Sequence, residues 1–206
     1  AGARACYPAI MPFPSPARQR MPSAVIVWTL VLLLGIQPVT TDLYLPALPS
    51  LPNALGTSVG AAQLTLSVLI ICFGLAQLVC GPLADRFGRR PLLIGSIAGG
   101  MVGHLICAFA PDPWTLSFGR LLTGLMGGNI PVAMAYASDI SPPDQRAKTL
   151  GIVGAALSLG FIVGPLVGGL LGGKDAASAT LLWPGLAAAL VCLLAITGAF
   201  FLLKES

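Results

Sequence analysis

The chain has 206 residues, 56% of them hydrophobic and 9% charged, with a mean hydropathy of +0.90. This composition excludes a water-soluble domain: at about 20 apolar residues per bilayer crossing, the length holds roughly six or seven helices and leaves no room for a separate catalytic domain. The net charge of +4 comes from Lys and Arg in short clusters between apolar runs, which is the placement of cytoplasmic loops and not of a nucleic-acid-binding face.

Residues 1–20 carry Pro8, Pro12, Pro14 and Pro16 with Arg4, Arg18 and Arg20, and read as a disordered basic tail. Met21 is an alternative start, in which case the tail is an extension of the native chain. The apolar run that follows has no small-residue cleavage site, so it reads as a retained first helix and not a secretory signal. From there, residues 21–206 form one membrane domain.

The runs free of Asp, Glu, Lys and Arg are 21–41, 43–84, 91–111, 121–138, 149–173 and 176–203. The second is too long for one span, and Pro46, Pro49, Pro52, Asn53, Gly56 and Gly60 divide it. The spacing predicts six transmembrane helices, near 23–45, 61–82, 91–110, 114–137, 149–172 and 180–203. With nine Lys and Arg on one side and Lys174 alone on the other, both termini are expected in the cytoplasm. The fold class is all-α and polytopic.

The five cysteines lack paired metal-ligand spacing, and four lie inside apolar runs, so neither disulfide, metal nor other cofactor is expected. Two enzyme-like patterns are also set aside. Gly56-Thr57-Ser58-Val59-Gly60 fits a nucleophile elbow but lies in an outer loop, and His104, the sole histidine, belongs to another span. Residues 168–174 approach a phosphate loop, but Asp175 stands where the magnesium-binding hydroxyl is required.

Arg120 stands inside the fourth apolar run, where a guanidinium must snorkel to water or find a carboxylate. At 1.5 Å per residue, Asp42 lies roughly 28 Å from the cytoplasmic start of the first helix, and Arg120 roughly 25 Å from the cytoplasmic end of the fourth. The two therefore share a depth. Asp42 is either the interfacial end of its helix or the partner of Arg120. Gln37, Tyr44, Gln63 and Gln77 offer polar points for a largely apolar small-molecule cavity. In the fifth span Ala156, Gly160, Gly164, Gly168 and Gly172 recur every fourth residue, a row that permits close helix approach. His104 reads as a packing residue of the third span.

Residues 81–91, G-P-L-A-D-R-F-G-R-R-P, form a short reversal with charges of both signs in which Gly88 can take positive φ and Asp85 can pair or cap. The string resembles the G-x-L-A-D-R-x-G-R-R signature of the major facilitator superfamily, carried by Gly81, Leu83, Ala84, Asp85, Arg86, Gly88, Arg89 and Arg90. The resemblance implies a conformational latch in which the aspartate engages an opposite half absent from this chain. Residues 160–169 look like the family's antiporter motif G-x-x-x-G-P-x-x-G-G, with Gly160, Gly164, Pro165, Gly168 and Gly169 in place. Arg120 with Gly124 resembles the R-x-x-x-G motif implicated in proton coupling, with Thr123 replacing the usual glutamine. Asp42, Tyr44 and Pro46 match the D-x-Y-x-P string of bicyclomycin- and chloramphenicol-type drug antiporters, and the closing residues 203–206 resemble the end of the family's sixth helix. Residues 139–148 resemble the intracellular connection after the fourth helix.

The resemblance implies the N-terminal six-helix half of a proton-coupled drug efflux transporter of the inner membrane, with Asp42 alternating between Arg120 and a proton. Its partners would be a small hydrophobic or amphipathic substrate, protons, the bilayer, and either a missing C-terminal half or a second copy. A metabolite symporter and a non-transporting six-helix scaffold or dimer are the alternatives.

Overall fold

The computed structural model describes residues 24–172 and 180–202; the predicted tail, Lys174 and the closing residues 203–206 lie outside them. The described chain is all helical: α1 Ala24–Asp42, a 3-10 turn η1 Leu45–Ser50, α2 Leu51–Ala54, α3 Val59–Phe87, α4 Arg89–Ala108, α5 Pro113–Gly127, α6 Ile130–Asp139, α7 Arg146–Leu171 and α8 Leu182–Leu202. Five stretches are long and apolar enough to cross a membrane, and α5 with α6 supplies the sixth crossing in two pieces.

Each boundary follows from local chemistry. Pro46 has no N–H for the carbonyl of Asp42, so α1 stops there, three residues short of the predicted end, and the chain tightens into η1. Ser58 caps α3 by accepting from the Ala61 amide at 3.2 Å. The third and fourth crossings are joined through Asp112, whose Oδ1 accepts from the amides of Trp114 and Thr115, both at 2.9 Å, with Pro113 at the first helical position.

Two expectations are corrected. The reversal predicted across residues 81–91 is mostly helix: α3 runs to Phe87 through Pro82, and the turn is one residue, Gly88, at φ 89° and ψ 154°. Charges at a helix end read as loop, yet the residues flanking Gly88 keep helical geometry, and only the glycine must take positive φ. The fourth span, expected unbroken over 114–137, divides after Gly127. Pro131 cannot donate to the Gly127 carbonyl four residues back, so that carbonyl instead accepts from the Asn129 amide at 2.8 Å.

The helices pair with internal symmetry. α1 packs on α7 and α8, α5 packs on α3 and α4, and α4 packs on α8. Exchanging the first three crossings for the last three maps this pairing onto itself, the pattern of two three-helix repeats. Small residues fill the contacts: Ala84, Ala108, Ala133, Ala137, Ala188 and Ala199 are buried, while Ile71, Leu78, Phe161, Leu166, Leu170 and Phe201 face outward. That inversion of a soluble core suits a lipid solvent.

Buried apolar residues form two clusters. One gathers Leu34, Leu93, Val132, Tyr136 and Val153; the other gathers Tyr44, Leu51, Ala62, Cys107 and Leu116. Along α1, α4 and the α5–α6 pair, the stretch between them carries Thr40, Ser96, His104, Arg120, Thr123 and Asn129, all buried. The bundle thus encloses a polar layer between two apolar ones.

Candidate functional site: a polar layer beside an apolar cavity

A cavity of about 390 Å³ opens between α1, α3, α5 and α7. Asp42, Thr41 and Gln37 line it from α1, Thr123 from α5, and Leu66, Leu69, Phe73 and Phe161 give it apolar walls. Its size and character suit a small, largely apolar ligand oriented by a few polar groups.

Arg120 lies behind this wall, 3% exposed. Its guanidinium carbon stands 3.5 Å from the centre of the Tyr44 ring, and Nη1 donates to the Thr41 carbonyl at 3.4 Å. Nε has no hydrogen-bond partner among the described residues. The Tyr44 hydroxyl in turn shares a 2.8 Å hydrogen bond with Thr65, which ties the ring to α3. In this arrangement Asp42 is half-buried at the cavity and makes no ion pair with Arg120; the ion pair among the described residues is Arg89–Asp139. The cation is held by an aromatic face and a carbonyl, with the carboxylate one residue from that carbonyl in sequence.

The four polar points predicted from sequence divide. Gln37 lines the cavity, and its amide donates to the Gly127 carbonyl that Pro131 leaves free. Tyr44 is buried beneath Arg120, away from the cavity wall. Gln63 is exposed on the first turns of α3 and Gln77 is half-buried farther along it; neither lines the cavity. Phe73 and Phe161, which do, carry no sequence signal because each is one apolar residue among many.

The glycine row of α7 faces α1 at the same depth. A Cβ on Gly164 would stand 3.0 Å from Cβ of Asp42 and 3.1 Å from the Pro38 carbonyl, and one on Gly160 would meet Pro38 and the Gly35 carbonyl. Gly168 would meet Leu43. Pro165 is half-buried in the same helix and Gly169 is exposed. The row therefore presses α7 onto the segment that carries Asp42.

At the α3–α4 joint, adjacent arginines diverge. Arg89 pairs with Asp139 at the end of α6, and Arg90 donates to the Phe200 carbonyl in the last turn of α8 at 2.8 Å, with its guanidinium 5.7 Å from the Phe200 ring. Asp139, at the start of the 139–148 connection, thus reaches across 50 residues. Asp85 and Arg86 are exposed on the last turn of α3; Arg86 stacks 5.4 Å from the Phe87 ring, and Gly81 is half-buried above them. Asp85 has neither capping nor ion-pair partner among the described residues.

A membrane-embedded helical bundle with paired three-helix repeats, a ligand-sized cavity at their junction and an arginine beside it is the build of a secondary transporter. The family model described as Major Facilitator Superfamily matches residues 30–206, and the chain belongs to that family. It is 36% identical over 184 residues to the class C tetracycline resistance protein of Escherichia coli, covering 86% of this chain and 45% of that protein. The chloramphenicol resistance protein of Pseudomonas aeruginosa is 36% identical over 133 residues, covering 63% of this chain and 32% of that protein. Multidrug resistance protein 2 of Bacillus subtilis (strain 168) is 32% identical over 169 residues, covering 80% and 40% respectively. Among solved structures, the human organic anion transporter MFSD10 (TETRAN) aligns with a TM-score of 0.69 at 25% identity, covering 89% of this chain and 48% of that one. The transporter FucP in its outward conformation aligns at 0.68 and 19% identity, covering 91% and 44%, and shares the fold. The chain thus spans less than half the length of these relatives. It is a multi-pass membrane protein of this transporter family, related to tetracycline, chloramphenicol and multidrug resistance proteins, and not an enzyme.

Proposed function

We propose that the chain is the N-terminal half of a proton-coupled antiporter that expels small hydrophobic or amphipathic drugs, working with a C-terminal six-helix half. One observation carries the reading: a fully buried arginine rests on a tyrosine ring and a carbonyl while a carboxylate stands nearby on the wall of an apolar cavity. An unpaired Asp42 can hold a proton, and an approach of Arg120 would expel it. Substrate entering the cavity meets Asp42 directly, so proton and drug would compete for one conformational cycle.

The glycine motif of α7 supports antiport, since Gly160, Gly164 and Gly168 bring that helix against the Asp42 segment. The latch residues Gly81, Asp85, Arg86, Gly88, Arg89 and Arg90 fit a joint whose free aspartate is available to an opposite half. The relatedness to tetracycline, chloramphenicol and multidrug resistance proteins supports a drug substrate, and their length supports a second half over a second copy. Placement of the membrane domain with both termini in the cytoplasm of a bacterial inner-membrane protein rests on the basic residues and the relatives together.

Everted vesicles from cells expressing the complete reading frame test the reading. Adding tetracycline or a cationic dye should dissipate an imposed pH gradient, and Asp42→Asn should abolish that response while leaving the protein in the membrane. Proton-driven efflux that survives Asp42→Asn would falsify the assignment.

A further inference from the structure

Behind the wall that carries Asp42 lies a second, smaller cavity of about 40 Å³, lined among others by Thr40, Ser96, His104, Thr123, Asn129 and Cys192. Asn129 stands at the break between α5 and α6, 6% exposed, and its Nδ2 donates to Ser96 Oγ at 2.7 Å. Its Oδ1 is buried and has no hydrogen-bond partner among the described residues.

The amide orientation is determined by its neighbour. Ser96 spends its single hydroxyl proton on the Leu93 carbonyl, at 2.9 Å, so toward Asn129 it can only accept. In this arrangement the Asn129 amide presents Nδ2 to Ser96, and Oδ1 is left as an acceptor that needs a donor. An unsatisfied buried carbonyl oxygen is costly, and native cores avoid it. The space beside it exceeds the roughly 10–15 Å³ that one water requires, and hydroxyl and imidazole groups supply further partners. Broken helices within a membrane regularly satisfy their freed polar groups with ordered water.

We infer that this cavity is a built hydration site, holding one or two ordered water molecules that donate to Asn129 Oδ1 at the α5–α6 break. The site is separate from the ligand-sized cavity yet shares Gln37, Thr41, Thr123 and Gly127 with it, so the bound water lies one layer of side chains behind the cavity that Asp42 faces. It completes the polar layer and stabilises the break without a protein donor.

X-ray hydroxyl-radical footprinting of the complete chain in lipid nanodiscs tests this, because a bound water generates the radical in place and oxidises the nearest thiol. Cys192 lines the site and is 5% exposed; Cys80, 9% exposed and outside this cavity, is the control. Cys192 should be oxidised several-fold faster than Cys80. In Asn129→Leu, which removes the acceptor and fills the space, Cys192 should fall to the rate of Cys80. Equal rates in the unaltered protein would overturn the proposal, as would unchanged Cys192 labelling in a folded Asn129→Leu. The comparison within the unaltered protein stands whether or not the variant folds.

Discussion

The guanidinium of Arg120 lies on the face of the Tyr44 ring, 3.5 Å from its centre, where a membrane-buried arginine would ordinarily require a carboxylate. Tyr44 belongs to the connection just after Asp42, so ring and carboxylate are carried two residues apart on the same stretch of chain.

Removing the ring should therefore do more than remove the hydroxyl. Tyr44→Leu is expected to cost about 2 kcal/mol, the value of a desolvated cation–π contact, whereas Tyr44→Phe should cost about 1 kcal/mol by releasing Thr65. Thr65 keeps its own bond to the Ala62 carbonyl at 2.6 Å, which limits the second loss. Thermal unfolding in detergent, followed by tryptophan fluorescence, orders the two variants; equal losses would show that the ring face contributes nothing.

Much of this arrangement is legible in the amino-acid sequence. Charge-free runs mark all six crossings, and Arg120 declares itself because no other charge lies between Asp112 and Asp139 in sequence. The depth estimate also brings Arg120 to the end of α1, although its contacts there are Thr41 and Tyr44 and not Asp42. Three-dimensional partners were out of reach. A tyrosine beside an aspartate reads as a cavity residue from either side, and only packing decides that its ring turns inward. The break at Gly127 was hidden for a different reason: the apolar run continues across it, and hydropathy does not register that Pro131 withholds a donor. Conversely, charges at residues 85–90 mimic a loop while most of those residues remain helical.

The contact of α7 with α1 sets a steric limit at Asp42. Gly164→Val should force the helices apart, because even its Cβ would stand 3.0 Å from Asp42 Cβ and 3.1 Å from a main-chain carbonyl. Overpacking of this kind costs about 1–3 kcal/mol. Gly151→Ala, on the same helix with nothing within 4 Å of the added methyl, is the matched control and should be neutral or slightly stabilising. Unfolding midpoints of the two variants check the contrast.

Asp112 supplies a pH test outside the spans. Its hydrogen bonds from the Thr115 amide and hydroxyl, and then from the Trp114 amide, hold its carboxyl below the ordinary carboxylate range. A group whose folded pKa is depressed stabilises above its unfolded value, near about 4, and loses that contribution as pH falls through the folded value. The unfolding midpoint should therefore decline in acid more steeply in the unaltered protein than in Asp112→Asn, which caps without titrating. Parallel acid limbs for the two proteins would remove Asp112 from the account.

The break in the fourth crossing makes the most direct structural prediction. Pro131 leaves the Gly127 carbonyl without its helical donor, and the side chains and amides that use it instead are Gln37 and Asn129. Pro131→Ala restores the donor, so the α5–α6 segment should straighten and that carbonyl should no longer depend on Gln37 and the Asn129 amide. Amide hydrogen exchange would then slow at 128–130 and 132 in Pro131→Ala, because the new helical bond from residue 131 protects its neighbours. Gln37→Leu should act oppositely: it leaves the carbonyl with one donor fewer at the cavity wall, destabilising by about 1 kcal/mol and quickening exchange at the break. Combining the two should recover most of that loss, since the restored helix no longer needs the side chain. If the double variant is as unstable as Gln37→Leu alone, the glutamine and the proline do not act on the same carbonyl.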